Sequence, residues 1–284
     1  MSPVVEEIRL SLPHIELAAH IFGPEDGLPV IALHGWLDNA NSFARLAPKL
    51  AGLRIVALDL AGHGHSDHRP RGAGYGLADY AFDVLCVAEQ LGWERFALLG
   101  HSLGAIVSVV IAGSFPERVT RLALIDGIVA RSGPEGDVAE RMGQALQAQL
   151  DLTHKRKSVH PTLDRAVEAR MKGLVAVSRD AAELLAQRGL MPVPGGYSWR
   201  SDSRLTLPTP LRMNDEQAMS FIRRVSCPTT LVVAEQGMLA SHPELLDRLP
   251  FHLERLPGGH HLHLNDEAGA ILVADCFNRF FAVP

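Results

Sequence analysis

The pentapeptide Gly100-His101-Ser102-Leu103-Gly104 places a serine between two glycines, each two positions away from it. An apolar, strand-like run precedes it and an apolar, helix-like run follows it. A strand that turns into a helix within one residue leaves no room for a Cβ at either glycine position and exposes the serine above the carboxyl end of a sheet. The serine oxygen then lies at a helix N-terminus, which favours developing negative charge. The pattern predicts Ser102 as a nucleophile.

A histidine-rich stretch near the C-terminus, His260-His261-Leu262-His263, offers a base for that serine. We interpret His260 as the base because Gly258-Gly259 before it give the backbone freedom to present the ring, whereas His263 would pack or hydrogen-bond one turn later. Alternatively, these histidines bind a metal ion, but no cysteine or carboxylate accompanies them at ligand spacing. The same argument disfavours a metal site in the loop that contains His63, His65 and His68.

Two carboxylates compete for the acid that orients the histidine in such a triad. Asp126 directly follows the apolar run 122–125, and Glu235 follows the run 229–233. We favour Asp126, because a triad is defined by its geometry and not by chain position. The alternative is that Asp126 only caps the end of its strand. Either acid gives the chain order serine, acid, histidine.

Two backbone N–H groups are candidates for an oxyanion hole. His34-Gly35-Trp36 follows the apolar run 30–33, so the N–H of Trp36 is expected near the nucleophile. Together with the N–H of Leu103 it would stabilise a developing oxyanion. The alternative is a simple turn that ends the strand.

The elements that must position these residues alternate between short β-branched runs and longer helical patterns. This alternation predicts an α/β fold with a mostly parallel eight-stranded sheet, flanked by helices and opening with a hairpin. Strands are predicted at residues 4–12, 15–22, 30–33, 54–58, 96–99, 122–125, 229–233 and 252–256. Helices are predicted at residues 42–50, 75–91, 103–114, 215–225, 243–249 and 267–280.

The segment 130–212 breaks this rhythm, since it is largely helical, has Pro and Gly near both ends and contains no convincing strand. We predict a core domain in two parts, residues 1–129 and 213–284, with a helical cap at residues 130–212 inserted after the sixth strand. Ligands of such sheets bind beyond the carboxyl ends of the strands.

The composition excludes several classes of partner. The formal charge of −5 over 284 residues argues against nucleic-acid binding, which needs a clustered excess of Lys and Arg. The first twelve residues lack the pattern of a signal peptide, and no run of about 18 apolar residues occurs, so we predict a cytoplasmic protein without stable membrane insertion. The three cysteines are widely spaced and are predicted to be free thiols. The oligomeric state stays open, with a homodimer as one outcome.

The residues resemble the α/β-hydrolase superfamily, and within it the serine-hydrolase-like proteins with a helical cap. The resemblance spans nearly the whole chain and rests on five strings: 34–40 with 42–43, 59–66, 92–96 leading into the serine motif, 184–189 and 257–260. It implies Ser102 as nucleophile, His260 as base, and the N–H groups of Trp36 and Leu103 as oxyanion donors. One departure concerns the acid. The family usually carries it in a Gly-x-x-Asp string, and here that string is Ala234-Glu235-Gln236-Gly237.

A serine in this position disfavours epoxide hydrolases and haloalkane dehalogenases, which attack through a carboxylate. The expected reaction is therefore hydrolysis of a carboxylic ester with a small to medium acyl group, through an acyl-enzyme and without metal or organic cofactor. A thioesterase and a carbon–carbon bond hydrolase would use the same triad. A ligand-sensing protein without turnover is the alternative from a different class.

Overall fold

An eight-stranded sheet lies at the centre of the molecule. The computed structural model describes residues 6–129, 138–152 and 157–282. The sheet has the order β1-β2-β4-β3-β5-β6-β9-β10, antiparallel between β1 and β2 and between β2 and β4, and parallel in the other pairs. The strands of the described residues are β1 Glu6–Ser11, β2 Glu16–Phe22, β3 Leu28–Leu33, β4 Leu53–Leu58, β5 Phe96–His101, β6 Val119–Ile125, β7 Leu190–Val193, β8 Gly196–Trp199, β9 Thr229–Gln236 and β10 His252–Gly259. The predicted mostly parallel sheet and its opening hairpin are confirmed.

Both faces of the sheet are covered, as its apolar strands require. The adjacent residues Leu98 and Leu99 of β5 are both fully buried, and they belong to separate apolar clusters on opposite faces. The helices in the described ranges are α1 Leu77–Gln90, α2 Leu103–Ser114, α3 Val138–Leu152, α4 Leu163–Met171, α5 Arg179–Gly189, α6 Asp215–Arg224, α7 Pro243–Leu246, α8 Leu262–Asn265 and α9 Glu267–Ala282. Within those ranges no helix combines the length and apolar character needed to cross a membrane.

The register of the parallel strands brings the predicted site residues to one edge. Leu33 pairs with Gly100, His101 with Ile125, and Ile125 with Val232. The chain leaves the sheet directly after Leu33, His101 and Ile125, at the carboxyl ends of β3, β5 and β6, whereas β9 continues to Gln236. The segments that carry Trp36, Ser102 and Asp126 therefore begin side by side, and Glu235 lies near the end of β9.

One predicted helix is wrong. Residues 42–50 form two short 3₁₀ turns, Ala40–Phe43 and Ala47–Lys49, instead of one α-helix. Pro48 has no N–H to donate to the carbonyl four residues earlier, so a continuous α-helix cannot pass through it. The first turn is capped by the side chain of Asn39, which accepts from the N–H of Asn41 at 3.1 Å.

The chain between β6 and α6 contains α3, α4, α5 and a short hairpin. We call its described residues, 138–152 and 157–214, the inserted segment. The expectation that this segment contains no strand is wrong, because β7 and β8 pair antiparallel. Their connection is Pro194-Gly195, with Gly195 at φ 89°, as a type II turn requires. Each strand is only four residues long, so the proline and glycines dominate the sequence pattern.

Candidate active site

Ser102 lies in a sharp turn between β5 and α2. Its φ of 52° and ψ of −114° are unusual for a residue with a side chain. A Cβ at Gly100 would lie 2.5 Å from Ala105 Cα, and one at Gly104 would lie 1.9 Å from the Leu33 carbonyl oxygen. Both glycines are therefore required by the backbone. The Ser102 side chain is partly exposed and does not cap α2, unlike most serines at this position of a helix.

His260 forms a short hydrogen bond with Asp126. The distance between His260 Nδ1 and Asp126 Oδ2 is 2.6 Å, and both residues are buried. An ionised carboxylate only accepts hydrogen bonds, so His260 Nδ1 is the donor in this pair. The same carboxylate accepts from the backbone N–H of Met238 at 2.8 Å and of Ala234 at 3.3 Å. Asp126 is thus fixed by three donors.

Of the two carboxylates that the sequence leaves open, Asp126 contacts His260, whereas Glu235 is exposed. A Cβ at Gly237 would lie 2.3 Å from Asp126 Oδ2. The Asp126 carboxylate therefore fills the space beside the position where the family resemblance leads us to expect an aspartate. Gly237 therefore leaves the space that the side chain of Asp126 occupies.

The loop that carries Asp126 packs directly against the serine. Asp126 has a φ of 41°, and a Cβ at the following Gly127 would lie 2.6 Å from the Ser102 carbonyl oxygen. The Ser102 N–H donates to the carbonyl of Ile125 at 3.1 Å. On the other side, His101 Nε2 donates to the carbonyl of His260 at 2.9 Å. The segments that carry Asp126 and His260 are both bonded to the turn that holds Ser102.

The segment with Trp36 is bonded to the same turn. The N–H of Gly104 donates to the carbonyl of His34 at 3.1 Å, and a Cβ at Gly35 would lie 2.9 Å from His101 Nδ1. Within the described ranges, the backbone N–H groups of Trp36 and Leu103 have no protein acceptor. The Trp36 indole instead donates to the carbonyl of Leu205, in the inserted segment, at 2.8 Å.

A buried group of possible cation ligands lies next to this site. One ligand atom from each of Asp38, His101 and His261 falls within 4.8 Å of the others. The expectation that no carboxylate accompanies the C-terminal histidines is therefore wrong, since Asp38 approaches His261 across 223 positions of sequence. However, Asp38 Oδ1 already accepts from Arg170 Nη2 at 2.8 Å. A cation would have to compete with that guanidinium for Asp38.

The charges in this group follow from burial and pairing. Burial alone would raise the pKa of Asp38, but the charge and hydrogen bond of His261 and the charge of Arg170 hold that pKa well below its usual range. Burial, together with the neighbouring His263, lowers the pKa of His101 well below the ordinary value of 6.5. Asp38 is thus an anion and His101 a neutral donor.

The histidines of the earlier loop have separate partners. His63 Nε2 accepts from the N–H of Leu37 at 3.2 Å, and His65 lies 3.2 Å from Glu7. His68 Nε2 donates to the carbonyl of Arg200 at 2.8 Å. These contacts hold the loop in place, and the group of possible cation ligands found among the described residues, Asp38, His101 and His261, contains none of these three histidines.

The sequence of the chain matches known proteins along most of its length. The family model described as the alpha/beta hydrolase fold matches residues 29–267. A serine hydrolase-like protein of Danio rerio is 31% identical, over 97% of this chain and 89% of its own length.

Solved structures are also similar to this chain over nearly its full length. A hypothetical protein from Pseudomonas aeruginosa PAO1 is 68% identical with a TM-score of 0.96, covering 98% of this chain and 100% of its own. The thioesterase domain from the curacin biosynthetic pathway is 25% identical with a TM-score of 0.83, covering 96% of this chain and 99% of its own.

Proposed function

The chain belongs to the alpha/beta hydrolase fold family, and on that premise we propose that it is a serine hydrolase that cleaves a carboxylic ester with a small to medium acyl group. The observation that carries the proposal is the 2.6 Å bond between His260 Nδ1 and Asp126 Oδ2, in segments bonded to the turn of Ser102. The family and the serine hydrolase-like relatives support hydrolase activity. The ester substrate and the roles of the individual residues are our inference.

The first half of the proposed reaction forms an acyl-enzyme. Ser102 Oγ attacks the acyl carbon while His260 Nε2 takes its proton, and Asp126 stabilises the imidazolium and holds its Nδ1–H. The N–H groups of Trp36 and Leu103 donate to the resulting oxyanion. When the intermediate collapses, the bond to the leaving alcohol breaks, and that alcohol takes the proton from His260.

The second half returns the enzyme to its starting state. A water molecule attacks the acyl carbon as His260 Nε2 accepts one of its protons. Collapse of this second intermediate breaks the bond to Ser102 Oγ, which takes the proton back from His260 and releases the carboxylic acid. No step requires a metal ion or an organic cofactor.

In this proposal the predicted insertion 130–212, of which the structure describes residues 138–152 and 157–212, is a cap between the core parts 1–129 and 213–284. Three hydrogen bonds between the described cap residues and the core support this position. The Trp36 indole donates to Leu205, and the side-chain amides of Asn39 and Asn41 donate to the carbonyls of Leu185 and Leu184 at 2.9 and 2.7 Å. The cap would therefore lie against the loop that supplies an oxyanion donor and select the acyl group that enters.

A thioesterase is the second candidate, because the curacin thioesterase domain is similar to this chain over nearly its full length. The same serine, histidine and acid would attack a thioester carbonyl. The two reactions differ in the leaving group, and only its fit under the cap would separate them.

The test is a hydrolysis screen of the purified protein. It uses p-nitrophenyl esters of increasing acyl length, the matching acyl-CoA thioesters and a dienone keto acid, with Ser102→Ala as control. We expect higher kcat/KM for esters, and a loss of about 10³-fold or more in Ser102→Ala. Faster cleavage of thioesters would identify a thioesterase, and cleavage of the keto acid alone a carbon–carbon hydrolase. Ligand binding without turnover of any substrate would contradict an enzyme.

A further inference from the structure

A chain of three polar residues joins helix α4 of the inserted segment to two loops of the candidate site. We call residues 34–38 the oxyanion loop, and residues 259–263, which run from the end of β10 into α8, the histidine loop. Arg170 Nη2 of α4 donates to Asp38 Oδ1 at 2.8 Å, and Asp38 Oδ2 lies 3.1 Å from His261 Nε2. Asp38 ends the oxyanion loop, and His261 follows His260 directly. One carboxylate therefore connects helix and both loops.

This connection is withdrawn from solvent. The side chain of Asp38 is fully buried, that of His261 is 5% exposed and that of Arg170 is 13% exposed. A buried charge that loses one partner is left uncompensated, so its surroundings must rearrange to restore solvation or pairing. Arg170 is also fixed at its other terminal nitrogen, since Nη1 donates to the carbonyl of Val175 at 3.0 Å.

Further contacts bind the helix pair α4 and α5 to the same two loops. Next to Asp38, the side-chain amide of Asn39 donates to α5 at Leu185. Beyond the histidine loop, Ser178 at the start of α5 makes two hydrogen bonds with Asn265, of 2.6 and 2.9 Å. The helix pair is thus part of the frame of the site, and Arg170 supplies a charged contact within that frame.

Both ends of the chain of three lie within two residues of a proposed reacting group. Asp38 is two positions after Trp36, and the intervening Leu37 is held at φ 62°. His261 is covalently attached to His260. A displacement of Asp38 would therefore shift the N–H of Trp36 and the ring of His260 together. Misplacing reacting groups by about 1 Å can reduce a rate by about 100-fold.

We propose that Arg170, Asp38 and His261 are positioning residues, through which helix α4 of the inserted segment holds the oxyanion loop and the histidine loop in the geometry that hydrolysis requires. The inference rests on the proposed function, because it assigns Trp36 and His260 their roles. In this proposal the inserted helices attach to the site through the string Leu37-Asp38-Asn39-Ala40.

The experiment compares variants of the full chain. Arg170→Met removes the charge but keeps a long side chain, and Arg170→Lys keeps the charge with a single donor group. The matched control is Arg165→Met on the same helix, whose side chain is 66% exposed and pairs with Glu168 at 2.8 Å. Such exposed pairs contribute little to stability. Asp38→Asn and the double variant Arg170→Met/Asp38→Asn complete a double-mutant cycle.

We expect Arg170→Met to lower kcat for p-nitrophenyl acetate by about 100-fold, with KM changed by less than about twofold. Arg170→Lys should recover part of that loss, and Arg165→Met should have the kcat of the wild type. The double variant should lose no more kcat than the worse single variant, because the two residues act through one network. An unchanged kcat in Arg170→Met, an equal loss in Arg165→Met, or losses that add in the double variant would overturn the proposal. If Arg170→Met does not fold, the kcat of Arg170→Lys decides, and a value equal to the wild type overturns it.

A second readout separates this proposal from the proposed function. If the wild type hydrolyses no ester, the proposed function fails, and amide hydrogen exchange tests the positioning role instead. Peptides covering residues 34–41 and 259–265 should exchange faster in Arg170→Met than in Arg165→Met. Equal protection of both peptides in the two variants would overturn the inference.

Discussion

At the scale of single residues, the carboxylate that contacts His260 lies outside the string 234–237, where the family resemblance leads us to expect an acid. Asp126 has a left-handed backbone and accepts hydrogen bonds from His260, Met238 and Ala234. Gly237 has no side chain and so leaves room for that carboxylate. The residue types at 126 and 237 are explained by one geometric requirement: a single carboxylate must reach His260 Nδ1.

Asp126→Asn should reduce kcat by about 10⁴-fold. The amide keeps the size of the side chain but favours the wrong imidazole tautomer, as in the amide-for-acid exchange of the serine protease that gives this magnitude. Steady-state kinetics on an ester measures the loss, and Glu235→Gln is the control that should retain activity. If Glu235→Gln is the inactivating change, the acid lies on β9 and our assignment is wrong.

The geometry at positions 126 and 237 also predicts that the carboxylate can be moved from residue 126 to residue 237. Glycine accepts the φ of 41° at position 126, and Gly237 is not in the left-handed region, so an aspartate fits its backbone. We expect Asp126→Gly to lose about 10⁴-fold in kcat, and Asp126→Gly/Gly237→Asp to recover at least about tenfold of that loss. Gly237→Asp alone should impair activity, because the two carboxylates would collide. No recovery in the double variant would contradict the shared position.

The sequence predicts Ser102, His260 and Asp126 because each follows a strand with a recognisable local pattern, whereas the other candidate acid, Glu235, lies within β9. It misses Asp38 as the shared partner of His261 and Arg170. Asp38 is 223 positions from His261, and local patterns carry no information about such a contact. Arg170 lies on a helix with Arg165 and Glu168, where charged residues normally indicate a solvated face. The string Leu37-Asp38-Asn39-Ala40 is part of the family resemblance, but the resemblance assigns no role to Asp38.

At the scale of elements, the turn from β5 into α2 depends on close packing that only glycine permits. A Cβ at Gly104 would lie 1.9 Å from a backbone oxygen of β3. Because backbone atoms cannot rotate away as a side chain does, α2 would have to move off the sheet.

Gly104→Ala should lower the free energy of unfolding by about 1–3 kcal/mol, the usual cost of overpacking, and should reduce ester hydrolysis. The matched control is Gly143→Ala in α3, where an added Cβ meets nothing within 4 Å. There the better helix propensity of alanine should raise the free energy of unfolding by at most about 1 kcal/mol. Urea unfolding of both variants makes the comparison. Equal stability of the two would contradict the packing argument.

The elements that the sequence predicts well are those with a strong period and a clear end. The buried strands and helices α1, α2, α6 and α9 fall near their predicted positions because the strands are apolar runs and the helices bury apolar residues at helical spacing. The predicted helix 42–50 is wrong because Pro48 interrupts it. Strands β7 and β8 are not predicted, because a four-residue strand is too short to show a period. The strand order is not predicted from the sequence, since alternation alone does not specify which strands are neighbours.

At the scale of the whole molecule, buried neutral histidines make stability depend on pH. Burial, with a smaller contribution from His34, lowers the pKa of His63 to about 3, and burial with His261 lowers that of His263 to about 3. Both have an ordinary value of 6.5 when unfolded. Between these values the unfolded chain binds more protons than the folded one, so acid favours unfolding.

We therefore expect stability that is fully present above pH 6.5 and lost progressively as the pH falls toward 3. Each of these histidines should contribute about 1.4 kcal/mol per pH unit to the slope. Urea unfolding at several pH values measures it. His263→Gln should flatten the slope, whereas His252→Gln, at a side chain that is 70% exposed, should not. A slope unchanged in His263→Gln would contradict the argument.

We propose that the whole fold serves to present one activated serine, Ser102. The most direct measurement is the intact mass of the protein after exposure to a fluorophosphonate, which needs no knowledge of the substrate, followed by peptide mapping. We predict one adduct per chain on the peptide that contains Ser102, no adduct in Ser102→Ala, and slower labelling in Asp126→Asn. Absence of an adduct in the wild type, or an adduct of equal rate in Ser102→Ala, would contradict the account.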